Sequence, residues 1–444
     1  MTRLFVIYIL SAAFIAVAHA GTMNIDFKEF DLDNGLHVIV HEDHSSAIVV
    51  LDVRYHVGSK NEVSGKTGFA HLFEHLMFDG SKNVGRGMFD KYLTNVGAQN
   101  NAYTTADETN YHEVVPSNQV ELALWLESDR MLQFAIKEIS LKTQKEVVKE
   151  EKRQTDDNRP YGDLDEKMRE MAYTGGCYRW PVIGSMQDID AATLDDVRQF
   201  YEMYYVPNNA TLCLGGDITL DEAKRLVTKY FGGIPSGKQP VRRPSYNEKP
   251  QAKENRLILH EDVPAPGEFI AFHVPGENDT IDMPALELLS SILGSGESSR
   301  LQHSLVYEQQ RASDAGAYVD INELSSLLYV YALAAKPDQD MDVVEQEMLR
   351  HLAEIGSNGV TDTELQKAKN QKEASIVYGF ASSLGIADAL THAYTLDRNT
   401  NSVNTEIDKY SRVTVDDIKR VAQKYLTVEN RNIVRYLPKD EDGE

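Results

Sequence analysis

The chain has 444 residues, 42% of them hydrophobic and 26% charged. That length predicts roughly two to four domains, and the composition excludes disordered, collagen-like and coiled-coil architectures. The 45 basic residues against 69 acidic ones leave a net charge of −24, so no cation excess exists to neutralise a phosphate backbone or an anionic membrane, and nucleic-acid binding is disfavoured.

Residues 1–20 carry one cation, Arg3, then an apolar run from Leu4 to Val17, then Ala18 and Ala20 at the −3 and −1 positions of a cut. This is the three-part layout of a signal peptide; an uncleaved apolar anchor is the competing reading. Cleavage predicts an exported protein, periplasmic or secreted, and no later stretch of about 18 apolar residues predicts a membrane span.

Beyond the leader, alternating stretches at Leu36–Val40 and Ile48–Tyr55 predict strands. The next segment, Gly68-Phe-Ala-His71-Leu-Phe-Glu74-His75-Leu-Met77, places apolar residues at helical spacing. His71 and His75 then stand one turn apart on one face, where two neutral imidazoles reach one Zn²⁺ and need a third protein ligand to leave an open catalytic position. Glu74 lies beside the pair as a general base for water acidified by the cation. A helix that buries two structural histidines against carboxylates is the alternative.

Cys177 and Cys213 are the only cysteines, with no CxxC or Cys/His cluster, and read as two free buried thiols rather than as a pair. Thr193-Leu-Asp-Asp-Val opens a capping-box-like helix start that runs into an apolar strand at Ala210–Leu214. Residues 235–255 hold four prolines and no apolar periodicity, which predicts a linker. After it, strands are predicted at Arg256–Leu259 and Phe269–Val274, and the earlier phrase recurs as Thr414-Val-Asp-Asp-Ile leading to Asn432–Tyr436. Shared order in near-equal halves points to internal duplication. The predicted plan is a signal peptide at 1–20, a domain at 21–234, a linker at 235–255 and a second domain at 256–440. Each domain is α+β, an antiparallel-rich sheet covered by helices.

His-x-x-Glu-His, the inverse of the commoner zinc-peptidase motif, is joined by Glu146-Val-Val-Lys-Glu-Glu151 and by Val96-Gly-Ala-Gln-Asn-Asn-Ala-Tyr-Thr104 with Asp107, Thr109 and Tyr111. With Asn34-Gly-Leu-His-Val and Tyr55-His-Val-Gly-Ser, these phrases make the mature chain resemble the M16 (pitrilysin) family of metallopeptidases over essentially its whole length. The resemblance implies one Zn²⁺ per chain on His71, His75 and Glu151, with Glu150 the adjacent rival that points about 100° away. It also implies that an edge strand holding Asn101 and Ala102 binds extended peptide by strand addition, turn chemistry being the alternative role for Asn100–Ala102. Two departures stand out. Gln144 occupies a position where many members have a supporting Glu. Val306 and Ser313 stand where active members or their companion chains have an Arg and a Tyr, unless Arg311 or Tyr318 substitutes. The family's four-domain clamshell then implies a dimer, with a companion subunit that supplies the missing pair preferred over a homodimer. The activity implied is a zinc metalloendopeptidase acting on short or unfolded peptides; the alternative is a non-catalytic binding or scaffold subunit.

Overall fold

Ile48–Tyr55 is apolar at nearly every position because both of its faces are covered, and the two polar exceptions, Asp52 and Arg54, share one face. The computed structural model that shows this describes residues 24–439 except Ile136 and Asn247. The signal-peptide reading of residues 1–20 lies outside the described residues. In the first half, strands β1 (Lys28–Asp31), β2 (His37–Glu42), β3 (Ile48–Tyr55), β4 (Gln99–Thr104), β5 (Thr109–Pro116) and β6 (Ala210–Gly216) form one sheet in the order β1-β2-β6-β3-β5-β4. In the second half, β7 (Asn255–Glu261), β8 (Gly267–Pro275), β9 (Ala312–Asp320), β10 (Ser325–Ala334) and β11 (Arg431–Pro438) form another in the order β7-β11-β8-β10-β9.

The sheets repeat one topology. In each, the strand after a late helix enters between two early strands, parallel to one and antiparallel to the other: β6 between β2 and β3, β11 between β7 and β8. All remaining neighbours are antiparallel. The helices that feed β6 and β11, Leu194–Tyr204 and Val415–Tyr425, both start on reciprocal capping boxes, Thr193 with Asp196 and Thr414 with Asp417. Such a box satisfies two of the backbone N–H groups that a helix start leaves orphaned.

Helices α1 (Phe69–Met77), α2 (Met88–Asn95), α3 (Val120–Leu132) and α4 (Glu138–Lys152) belong to the first half. The main core lies between helices and the face of β3 that carries Val49, Leu51, Val53 and Tyr55. The other face of that sheet, with Ile39, Val50 and Cys213, is covered by Ala387, Leu390 and Ala393 from the helix Ser383–Asp397 of the second half. The exchange is mutual. Met168 and Ala172 from helix Leu164–Ala172, followed by Tyr173 and Tyr178, cover Ala271, Leu327, Tyr329 and Val434 of the second sheet. Cys177 and Cys213 are free, buried thiols in these two separate clusters. Among the described residues no single helix is long and apolar enough to cross a membrane.

Candidate metal centre

Helix α1 is held by its apolar stripe: Phe69, Leu72, Phe73, Leu76 and Met77 are all buried. Its start is fixed by two devices. Gly68, at φ +80°, packs against Gly184 so closely that a Cβ on Gly184 would lie 2.3 Å from the Gly68 nitrogen. The buried carboxyl of Glu62 accepts hydrogen bonds from the Gly68 and Ala70 amides at 2.9 and 2.8 Å, satisfying N–H groups that the helix start leaves orphaned. Burial nevertheless pushes the Glu62 carboxyl up to about 8, against the pull of those amides.

The stripe leaves His71, Glu74 and His75 on the flank that faces α4. Helix α4 is anchored by Leu141 and Val148, both buried, so that Glu151, one turn beyond Val148, projects towards α1. The Glu151 carboxylate lies 3.8 Å from His71 Nε2 and 3.3 Å from His75 Nε2. The imidazole rings meet edge to face with centroids 4.8 Å apart, and one donor atom from each of the three residues lies within 4.8 Å of the others. Glu150 turns away and accepts from Arg153 at 3.1 Å and Gln154 at 3.0 Å.

Two imidazoles and a carboxylate are the donor chemistry of a catalytic zinc site, and a tetrahedron with bonds of about 2.0–2.1 Å has edges of roughly 3.4 Å, matched by the 3.3 Å between His75 and Glu151 and exceeded by the 3.8 Å between His71 and Glu151. The charge states fit. Burial and the neighbouring His75 lower His71 to about 4, so it is a neutral donor, and the hydrogen bond from His75 holds the Glu151 carboxyl below its ordinary value. His71 Nδ1 is buried with no hydrogen-bond partner, leaving Nε2 as its engaged nitrogen.

Glu74 is anchored by Thr104 Oγ1, which donates to Glu74 Oε2 at 2.5 Å, and burial raises its carboxyl above the ordinary value. Thr104 ends β4, the edge strand that also carries Asn101 and Ala102. There the Ala102 amide donates to Asn101 Oδ1 at 2.9 Å. Gln144, two turns before Glu151 on α4, donates to Asp79 Oδ1 at 3.3 Å. In the second half, the Ser313 hydroxyl donates to the Leu333 and Ala334 carbonyls and Tyr318 stacks on Tyr329 with centroids 4.9 Å apart, so both are engaged within their own sheet.

Sequence reasoning assigned no role to Glu62 or Thr104. Thr104 falls within the segment Val96–Thr104, but its contact with Glu74 depends on how β4 crosses α1. Glu62 carried no signal, being an acidic residue in a polar stretch that the fold buries.

Two family profiles match this architecture: Insulinase (Peptidase family M16) over residues 37–181 and Peptidase M16 inactive domain over residues 191–372. The zinc protease PqqE of Helicobacter pylori is 30% identical over 414 residues, 93% of each chain. The chain belongs to the M16 family of peptidases. The crystal structure of a protease from Helicobacter pylori superposes with a TM-score of 0.88 at 29% identity, covering 94% of this chain and all of that one. The periplasmic protease PqqL of Escherichia coli shares the fold, with a TM-score of 0.76 at 19% identity. It matches 94% of this M16 chain but only 48% of its own, so this chain is about half its length.

Proposed function

We propose that this chain is the zinc-binding subunit of an exported metalloendopeptidase that hydrolyses peptide bonds in short or unfolded peptides. The observation that carries the reading is the meeting of His71, His75 and Glu151 from α1 and α4, with Glu74 beside them and anchored by Thr104. His71, His75 and Glu151 would hold the ion. The chemistry that zinc supplies when bound is Lewis-acid polarisation of a carbonyl and acidification of water. Glu74 takes the proton from the attacking water and passes it to the leaving amine nitrogen, and its raised pKa suits a group that must both accept and release a proton. The open edge of β4, with Asn101 and Ala102, binds the substrate backbone by strand addition, which tolerates many sequences. Export is supported by the signal-like layout of residues 1–20 and by the periplasmic description of the Escherichia coli relative.

A companion M16 subunit supplies the Arg and Tyr that Val306 and Ser313 replace here. The half-length match to PqqL supports such pairing. The same replacement favours a second reading, a non-catalytic scaffold subunit, as does the match of residues 191–372 to a profile described as inactive. Glu74→Gln decides between them. On the peptidase reading, cleavage of a quenched peptide by the chain reconstituted with its companion subunit falls by about 10²–10⁴-fold with zinc retained; unchanged cleavage by that zinc-loaded complex refutes the reading.

A further inference from the structure

Strand β4 sends successive side chains to opposite faces of its sheet, and two adjacent residues use this to join the halves of the molecule. Thr104 faces α1, where it donates to Glu74 Oε2. Tyr103 faces the other way, where its hydroxyl donates to Asp388 Oδ1 at 2.6 Å and accepts from Arg54 Nη2 at 2.7 Å. Asp388 lies on the helix Ser383–Asp397 of the second half. Arg54 Nη2 also donates to Asp388 Oδ1 at 2.6 Å, and the fully buried guanidinium is held further by Glu108 and, at 3.1 Å, by Thr391 Oγ1. The tip of the β4–β5 hairpin is gripped as well: the Glu323 amide of the second half donates to Asp107 Oδ2 at 2.9 Å, and Lys60 Nζ bonds both Asp107 and Glu323.

These bonds matter because β4 has, among the described residues, one strand neighbour only, β5. Its outer edge has no ladder to resist peeling or twisting. We propose that Asp388, in the half of the chain that carries none of the candidate zinc ligands, is a positioning residue for Glu74. It holds Tyr103, Tyr103 holds the twist of β4, and Thr104, the next residue, is thereby presented to the Glu74 carboxylate. A charge-assisted bond on an arginine-paired carboxylate is strong enough for the task, and a displacement of about 1 Å at a reacting group costs up to about 10²-fold in rate. The proposal rests on the peptidase reading of Glu74 and adds a function for the second half that is independent of any companion chain.

The test uses the full mature chain loaded with zinc, by itself for hydrogen exchange and mixed with its companion M16 subunit for kinetics. Tyr103→Phe removes one hydroxyl and leaves the Arg54–Asp388 pair in place. Hydrogen exchange of the backbone amides of residues 99–104 should quicken by about tenfold or more in this variant, with bound zinc unchanged. Against a quenched peptide, kcat should fall about tenfold with KM within about twofold, Asp388→Asn should do the same, Thr104→Val should reproduce the loss and Thr104→Ser should rescue it. Unchanged exchange in β4, or loss of zinc alongside a rise in KM, would overturn the proposal. Glu74→Gln is run in parallel. If that variant cleaves as well as the parent, the peptidase reading fails, and the exchange data still decide whether Asp388 holds β4.

Discussion

Glu150 and Glu151 differ by one position and by their whole chemistry. Adjacent helical residues diverge by about 100°, so the carboxylate that meets His71 and His75 belongs to Glu151, while Glu150 is spent on Arg153 and Gln154. Glu151→Gln should lower zinc affinity by about two orders of magnitude or more, and Glu150→Gln should leave it within a few-fold, as read by zinc competition with a chromogenic chelator. Glu62 gives a pH signature away from the ligands. Its folded pKa of about 8 lies above the ordinary 4.5, so the folded state binds the extra proton and Glu62's contribution to stability falls as pH rises from about 4.5 to about 8. The difference in melting temperature between the parent and Glu62→Gln should therefore drift against the parent across that window. A difference independent of pH would mean that Glu62 is ionised throughout.

At the scale of elements, the two capping boxes are a repeated part with a measurable worth. Thr193 accepts from the Asp196 amide and Thr414 from the Asp417 amide, each at 3.2 Å, on helices that feed the inserted strands of their sheets. Thr193→Ala and Thr414→Ala should each cost about 1 kcal/mol in denaturant unfolding, and the double variant about the sum, since distant sites add. These boxes were legible in the sequence because a cap is a local pattern: a hydroxyl, a carboxylate three residues on, then helical periodicity. The helix carrying His71 and His75 was legible for the same reason. Its start was not, because Glu62 and Gly184 reach it from elsewhere in the chain, and no periodicity records such a contact.

The whole molecule is joined by exchanged cover. The helix Ser383–Asp397 lies on the first sheet and the helix Leu164–Ala172 on the second, so each half exposes an apolar sheet face without the other. A fragment of residues 21–250 would present Ile39, Val50 and Cys213 to water and leave the buried Arg54 without Asp388. Its expression alone should give aggregated protein, and co-expression with residues 251–444 should give a soluble complex that unfolds in one transition. A monomeric, cooperatively folded fragment would show that the exchanged helices are dispensable. Polar residues in the middle of β3 are explained at this scale too: Asp52 and Arg54 point at Thr391 and Asp388 across the boundary, and a buried arginine with only part of its carboxylate set would be costly.

What the sequence determined by itself was whatever depends on neighbours along the chain: two halves of α+β character, the duplicated cap-helix-strand phrase, and two histidines one turn apart with a glutamate beside them. The family resemblance named Glu151 as their partner, while the approach of α4 to α1, the laying of β4 across Glu74 and the clamping of Tyr103 by a carboxylate nearly three hundred residues away were decided only by the tertiary structure. The reason is physical. Periodicity states which face of an element is apolar and therefore buried, but the partner that buries it is chosen by the packing of the whole chain.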